Sequence, residues 1–326
     1  MPTDILCLRP ESDFIRVGVV IPPGPSIAFR APDAADVPDL MKDARVLVIP
    51  AVGSKLAPAL FDSAKALKLV QITGAGVDRL DQPTLTRLGI PVCNVPGGSN
   101  GALAEYAVGH ALALLRRFSW ADAEVKQGNY VPFRSRMVAD NLSGLDGMQV
   151  GIVGMGTIGI AVARAFAAFG SRIAFFDPSP RDPAAVAQLG ATSMALDALL
   201  SSSDVVSLHV PLLPQTTNLI GAPQLALMKP TAVLLNASRG GIVDEAALTA
   251  ALAEGRLFGA AVDVYSTEPA ATDNPLLSLA GEGASRLLLT PHIAGVSRQA
   301  SATLFKVAIE NALRALAGET ALYRVY

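Results

Sequence analysis

Arg239, Glu268 and His292 are the residues of this 326-residue chain best suited to acid–base chemistry on a carbonyl beside a carboxylate. An arginine fork holds a carboxylate through two parallel hydrogen bonds. A protonated imidazole can hand its proton to a ketone oxygen while a hydride reaches the carbon. A neighbouring glutamate orients that ring and, as an opposite charge, is expected to raise its pKa. Histidine is scarce here, with only His110, His209 and His292 present. Apolar runs precede all three candidates. Thr231-Ala-Val-Leu-Leu-Asn-Ala-Ser leads to Arg239, Leu257-Phe-Gly-Ala-Ala-Val to Asp263 and then Glu268, and Arg286-Leu-Leu-Leu-Thr-Pro to His292. In an open parallel sheet, ligands bind beyond the carboxyl ends of the strands. If these runs are parallel strands, the three side chains share one edge. Taken singly, each reads more readily as a solvated or structural group.

A second constellation belongs on the same edge. Gln149-Val-Gly-Ile-Val runs into Gly154-Met-Gly156-Thr-Ile-Gly159 and then a helix, Ile160–Phe169. The first glycine permits a tight turn, the second lets backbone approach a pyrophosphate, and the third lets helix and strand pack closely. The next strand ends at Asp177, where a carboxylate can take both hydroxyls of an adenosine ribose. It would repel a 2′-phosphate, so NAD is expected over NADP, and Arg181 reads as a solvated surface charge. His209, just before Pro211, reads as a turn residue lining the cofactor cleft. His110, within an apolar helix, reads as a packed or hinge residue.

Positioning these groups requires parallel sheets, and the chain has their pattern: short Val/Ile/Leu runs alternating with helical stretches. A first series places strands at Arg16–Ile21, Arg45–Pro50, Lys68–Thr73 and Ile90–Asn94, with a helix at Ala57–Ala66. Gly101–Arg117 reads as a buried helix crossing between two bodies, and residues 128–145 as a long arm of little periodicity. A second series has strands at Gln149–Val153, Arg172–Asp177, Asp204–Val210, Thr231–Ala237, Leu257–Val262 and Arg286–Thr290. An amphipathic helix, Gln299–Ala317, closes the chain, stops near Gly318 and is expected to pack back on the first domain. The fold class is α/β with two doubly wound parallel-sheet domains, and the length favours two domains at roughly 150 residues each.

Composition excludes other classes. With 51% hydrophobic and 17% charged residues, and 26 Lys plus Arg against 28 Asp plus Glu, neither disorder nor nucleic-acid binding is expected. Mean hydropathy is +0.42, yet the most apolar stretch, Val150–Ala163, is broken by glycines and short of the ~20 residues a membrane span needs. No signal peptide is read at the N-terminus. Cys7 and Cys93 make neither a disulfide framework nor a metal cluster, so a cytoplasmic protein without a metal is expected.

The motifs together are more specific than any one of them. Gly154-Met-Gly-Thr-Ile-Gly, Leu208-His-Val-Pro-Leu, Asn236-Ala-Ser-Arg-Gly-Gly-Ile-Val-Asp-Glu, Asp263-Val-Tyr-Ser-Thr-Glu-Pro and Thr290-Pro-His-Ile-Ala-Gly resemble, in order, the motifs of the D-isomer-specific 2-hydroxyacid dehydrogenases. Gly74-Ala-Gly-Val-Asp78, Asn94-Val-Pro-Gly-Gly-Ser-Asn and Ala104-Glu105 resemble that family's substrate-domain motifs. The resemblance implies a Rossmann nucleotide-binding domain, residues 101–295 with the connecting helix and a dimerisation arm, inserted into a flavodoxin-like substrate domain, residues 1–100 and 296–326. It implies hydride transfer with NAD between a small 2-keto acid and its D-2-hydroxy acid. Arg239, Glu268 and His292 match the catalytic trio. Gly154, Gly156, Thr157, Ile158, Gly159, Asp177, Val210, Ala237, Asp263, His292 and Gly295 fall on cofactor-binding positions, Asp263 at the nicotinamide carboxamide. Ala75, Gly76, Val77, Ser99, Asn100 and Arg239 fall on substrate-binding positions. A homodimer is implied.

Two departures concern cofactor and substrate loops: Ala75 stands where some relatives carry a hydroxyl, and Thr157 replaces an arginine common in the glycine loop. Glu268 followed by proline, with no glutamine partner for His292, disfavours the formate dehydrogenase branch. No C-terminal regulatory domain is read. Lys55, Arg134 and Arg136 are the loop cations a phosphorylated substrate would need; their usual role is solvation, so an unphosphorylated keto acid is expected. Competing readings are an NAD-sensing, corepressor-like interaction protein of the same fold, a phosphoglycerate-type dehydrogenase lacking a regulatory domain, and an NAD-using hydrolase. The first would call for extended tails or docking surfaces, and the last for a different order of residues.

Overall fold

The computed structural model describes residues 3–326. They form two compact units, one made of the residues up to Ser99 with Val296–Tyr326, the other of Asn100–Gly295.

The first unit is built on five strands, β1 (Ile5–Cys7), β2 (Ile27–Phe29), β3 (Val46–Ile49), β4 (Leu69–Ile72) and β5 (Val92–Cys93). They are parallel and ordered β2-β1-β3-β4-β5, the flavodoxin-like arrangement. Alternate residues face opposite ways along a strand. Leu6, Leu47, Ile49, Val70 and Ile72 therefore meet Met41, Phe61 and Leu85 on one face. Ile5, Cys7, Val46, Val48 and Leu69 meet the helix Arg298–Leu316 on the other, through Leu304, Phe305, Ala308, Ile309 and Ala312. That helix begins at Ser297, whose hydroxyl accepts from the Ala300 amide at 3.1 Å, and its apolar stripe follows the helical repeat. Asn311 lies inside the stripe. Its amide group donates to Gln71 Oε1 and to the Leu322 carbonyl, both at 2.9 Å, and its oxygen accepts from the Leu322 N–H, so no arm of this buried side chain is orphaned.

The expected strand Arg16–Ile21 is absent. Glu11–Arg16 is a helix that closes at Gly18 (φ +76°), with the Val19 amide bonded back to the Phe14 carbonyl at 3.0 Å, a left-handed helix stop that uses the valines as packing rather than pairing groups. The first two strands are β1 and β2, each too short for alternation to show. The helix expected at Ala57–Ala66 shrinks to Ala59–Asp62.

The second unit carries seven strands: β6 (Gln149–Val153), β7 (Arg172–Phe176), β8 (Thr192–Ser193), β9 (Val205–Leu208), β10 (Val233–Asn236), β11 (Gly259–Val262) and β12 (Leu287–Leu289). All are parallel, in the order β12-β11-β10-β9-β6-β7-β8. The chain reverses its direction of growth between β6 and β9, which is the switch point of a Rossmann sheet. Helices Asn100–Leu115 and Thr157–Ala168 cover one face, where Ala104, Ala107, Ala111 and Ala163 admit close packing beside Phe166 and Ile152.

Of residues 128–145, expected as an arm of little periodicity, Tyr130–Ala139 is a helix, and another, Phe118–Lys126, precedes it. Their periodicity is blurred because apolar groups point both ways. Phe133 is buried against Trp120, with centroids 5.3 Å apart, while Phe118, Val125, Tyr130, Val131 and Val138 are exposed.

Candidate active site

The carboxyl edge of the second sheet collects the predicted groups in spatial order. His292 follows β12, Asp263 and Glu268 follow β11, Arg239 follows β10, His209 follows β9, the glycine turn follows β6 and Asp177 follows β7. Neighbouring strands lie about 4.8 Å apart, so this edge is an elongated platform rather than a point.

At the turn, Gly154 has φ +94° and Gly156 is the N-cap of the helix Thr157–Ala168. A Cβ on Gly159 would overlap the Gly154 carbonyl, so helix and turn touch. A Cβ on Gly156 would meet no heavy atom within 4 Å. Open space over a helix N-terminus with free N–H groups is a cradle for an anion, and the pyrophosphate of a dinucleotide fits it. Val210 leans on the turn, its Cγ1 2.8 Å from where a Gly154 Cβ would stand.

Asp177 is bound on three sides: Met155 N–H donates to Oδ2 at 2.8 Å, Ser179 N–H to Oδ1 at 2.9 Å, and Arg181 Nη2 lies 2.6 Å from Oδ2. Burial pushes this carboxyl up, but the bonds from Arg181, Ser179 and Met155 outweigh it and hold the pKa below its ordinary value. Arg181 is therefore an ion-pair partner, not the solvated charge expected, because the Pro178-Ser179-Pro180 turn returns residue 181 to the carboxylate.

His209 is a poor proton donor. Its Nε2 is 2.8 Å from Ser207 Oγ, and burial pulls its pKa down to about 4, leaving the ring neutral at pH 7. His110 stacks on Tyr106, with centroids 3.8 Å apart, and its Nδ1 is 2.9 Å from the Tyr106 carbonyl.

The acid–base pair is assembled by the loops after β11 and β12. His292 Nδ1 is 2.7 Å from Glu268 Oε2. Glu268 Oε1 also accepts from the Tyr265 N–H at 3.1 Å. Partial burial pushes the Glu268 carboxyl up; the hydrogen bonds from His292 and Tyr265 and the charges of His292 and Arg239 more than offset this and keep it below the ordinary range. The two side chains are 25% and 30% exposed, so a small molecule can reach the imidazole. Arg239 stands close enough to act electrostatically on Glu268, and its Nη1 donates to the Ser238 carbonyl at 2.7 Å. Gly240 explains the placement: any Cβ there would overlap the Tyr265 carbonyl, so the two loops touch at this glycine. Asn236 folds the turn before it, accepting from Ser238 N–H and Oγ.

Asp263 is almost wholly buried and organises the His292 loop. Its Oδ1 accepts from Thr290 Oγ1 at 2.6 Å and Ile293 N–H at 2.8 Å, and its Oδ2 from Ala294 N–H at 2.8 Å. The Tyr265 hydroxyl donates to the Thr290 carbonyl at 3.0 Å. Glu245 accepts from Ser266 N–H and Oγ and from Asn274, holding the Glu268 loop from behind. Sequence reasoning did not find the roles of Thr290, Tyr265 or Glu245. All three lie within the motifs, but only register reveals what they touch.

In the first unit, the loop after β4 carries Ala75, Gly76 and Val77. It is tied to the loop after β5 by Asn94 Nδ2 donating to the Ala75 carbonyl at 2.8 Å and by Val95 N–H donating to the Gly74 carbonyl at 2.8 Å. Ser99 belongs to this unit. Asn100 begins the second, with its Nδ2 3.2 Å from the Thr157 carbonyl. Ala237 and Gly295 are half-buried near the ends of their strands, and Thr157 and Ile158 form the first turn of their helix. Lys55 and Arg134 are exposed. Arg136 is committed elsewhere, 3.0 Å from Glu282 and 4.7 Å over the Trp120 ring. Among the described residues no helix is long and apolar enough to cross a membrane.

Comparison with known proteins agrees with this geometry. The family model described as "D-isomer specific 2-hydroxyacid dehydrogenase, NAD binding domain" matches residues 108–294, and NAD is the cofactor of the chain. A glyoxylate reductase of Korarchaeum cryptofilum is 39% identical over 263 residues, 80% of this chain and 76% of that protein. A D-3-phosphoglycerate dehydrogenase of Archaeoglobus fulgidus is 37% identical over 258 residues, 79% of this chain and 47% of that protein. The chain thus spans about half the length of the phosphoglycerate dehydrogenases it matches. Among solved structures, a D-lactate dehydrogenase of Treponema pallidum superposes with TM-score 0.82 at 29% identity, covering 99% of each chain. With a glycine turn, an aspartate at the end of the next strand and a His–Glu pair on one Rossmann edge, and with these matches, the chain belongs to the D-isomer specific 2-hydroxyacid dehydrogenase family.

Proposed function

We propose that this protein is an NAD-dependent dehydrogenase that interconverts a small 2-keto acid and its D-2-hydroxy acid. The reading is carried by the 2.7 Å contact between His292 Nδ1 and Glu268 Oε2, on the edge that also holds Arg239 and the glycine turn. NADH, when bound, supplies the hydride. Arg239 binds the substrate carboxylate, and Ala75, Gly76, Val77, Ser99 and Asn100 are assigned to substrate binding. His292, held through Nδ1, gives the Nε2 proton to the carbonyl oxygen, and the ketone becomes an alcohol. In the oxidative direction the neutral ring takes the hydroxyl proton back. Glu268 orients the ring and balances the imidazolium charge. Gly154, Gly156, Thr157, Ile158 and Gly159 serve the pyrophosphate, Asp177 the ribose, and Val210, Ala237, Asp263, His292 and Gly295 the nicotinamide side.

Residues 1–100 and 296–326 act as the substrate domain and 101–295 as the NAD-binding domain. An unphosphorylated substrate is supported by the engagement of Arg136 with Glu282 and Trp120. Exposed Phe118, Val125, Tyr130, Val131 and Val138 support a homodimer formed through the helices Phe118–Lys126 and Tyr130–Ala139. Two free, buried cysteines support a cytoplasmic location.

A panel of 2-keto acids with NADH, followed by absorbance, tests the activity. Turnover with at least one, abolished in His292→Ala while NADH still binds, is the expected result. No turnover with any, or a His292→Ala protein as fast as wild type, would overturn the reading.

A further inference from the structure

Tyr106 lies on the helix Asn100–Leu115, outside both loops of the acid–base pair, yet its hydroxyl oxygen is 2.8 Å from Thr290 Oγ1. The direction of that bond follows from counting hydrogens. Thr290 has one hydroxyl hydrogen and spends it on Asp263 Oδ1 at 2.6 Å, so its oxygen must accept from Tyr106. The same carboxylate takes the amides of Ile293 and Ala294, the two residues after His292, and the Asp263 carbonyl takes the amide of His292 itself at 2.8 Å. His292 sits at φ +55°, a left-handed conformation that is uncommon for residues with a Cβ and persists where the surroundings hold it.

We infer that Tyr106 is a positioning residue for the proton donor, acting through the chain Tyr106–Thr290–Asp263 to hold His292 in its strained, productive conformation. The inference rests on His292 being that donor. Three features make the phenol fit this role. Its ring is clamped by the stacked His110 and cannot swing away without losing that 3.8 Å contact. Burial pushes its pKa above the ordinary phenol value, so it remains a donor throughout the range in which such an enzyme works. The bond crosses from a helix to a loop 184 residues later, giving the loop an anchor on rigid structure instead of on another loop. If tyrosine merely filled space here, phenylalanine would serve equally well.

The test compares Tyr106→Phe, Thr290→Val, Thr290→Ser, the Tyr106→Phe/Thr290→Val double variant and His292→Ala, using a keto acid the wild type reduces. Tyr106→Phe should lower kcat about tenfold, since small misplacements of a catalytic group are costly. The dissociation constant for NADH, read by fluorescence, should stay within about twofold, because the glycine turn and Asp177 lie outside this chain of bonds. Thr290→Ser, which keeps the hydroxyl, should retain most of the rate. The double variant should be no slower than Thr290→Val alone, as both changes cut one chain. A wild-type kcat in Tyr106→Phe, or losses that multiply in the double variant, would overturn the inference. The controls separate its failure from that of the function itself. An active His292→Ala protein removes the acid, whereas an inactive His292→Ala beside a fully active Tyr106→Phe removes only the role of Tyr106.

Discussion

Adding one methyl group to the glycine turn should have opposite effects at two positions three residues apart. At Gly159 the new Cβ would land on the Gly154 carbonyl oxygen, with the carbonyl carbon 3.1 Å and Ile152 Cγ2 3.2 Å away. Backbone cannot rotate aside as a side chain can, so Gly159→Ala should carry an overpacking cost of about 1–3 kcal/mol. For a domain of this size that lowers Tm by roughly 2–12 °C. Gly156 has φ −77° and ψ −165°, open to any residue, and its Cβ would meet nothing. Gly156→Ala should therefore be neutral or slightly stabilising, by about 0.4–1 kcal/mol, since alanine has less freedom to lose on folding. Its methyl would nevertheless stand where the pyrophosphate must approach the helix N-terminus. Losing one charge-assisted hydrogen bond costs about 1.5–3 kcal/mol, which weakens NADH binding roughly 10- to 150-fold. Thermal unfolding and fluorescence titration of NADH read the two effects separately. A Gly156→Ala protein that binds NADH as tightly as wild type would refute the placement of the phosphates, and an undiminished Tm in Gly159→Ala would refute the rigidity of the turn.

Other outcomes follow from contacts elsewhere in the molecule. Glu268 has a native pKa below its ordinary value of 4.5, so the stability it contributes is present above that value and is lost as pH falls through the depressed one. Urea unfolding of wild type and Glu268→Gln should differ at about pH 5.5 and converge in more acid solution; a difference that does not shrink there would refute the coupling. Asn311→Ala strands Gln71 Oε1 and both backbone groups of Leu322, so it should destabilise by about 2–4 kcal/mol in chemical denaturation, and a change under about 0.5 kcal/mol would contradict the accounting. Val131→Glu with Val138→Glu puts charge on the exposed apolar helices and should turn the proposed dimer into a monomer in sedimentation; a monomeric wild type would refute the dimer, and an unaltered dimer would move the interface elsewhere.

The groups at strand ends were legible because parallel topology forces every carboxyl end onto one edge, so Arg239, Glu268 and His292 could be grouped before any contact was seen. The glycine turn was legible because strand, turn, helix and acid follow each other in sequence. Strands β1, β2 and β8, three residues or fewer, were not, whereas the equally short β5 and β12 lie in the runs Ile90–Asn94 and Arg286–Thr290 that were read as strands. The helices at 118–139 were missed because their outer faces are also apolar. Arg181 was misjudged because its partner is set by the path of a proline turn. The contact of Tyr106 with Thr290 depends on how a helix docks on a sheet, and residue types alone carry no trace of that.

The left-handed backbone at His292 sets stability against catalysis at a single residue. Glycine takes φ +55° more readily than histidine, so the backbone by itself would prefer it there. Selection for heat resistance without selection for turnover should discard the imidazole early, leaving a sturdier protein that can still bind nucleotide and no longer reduces anything.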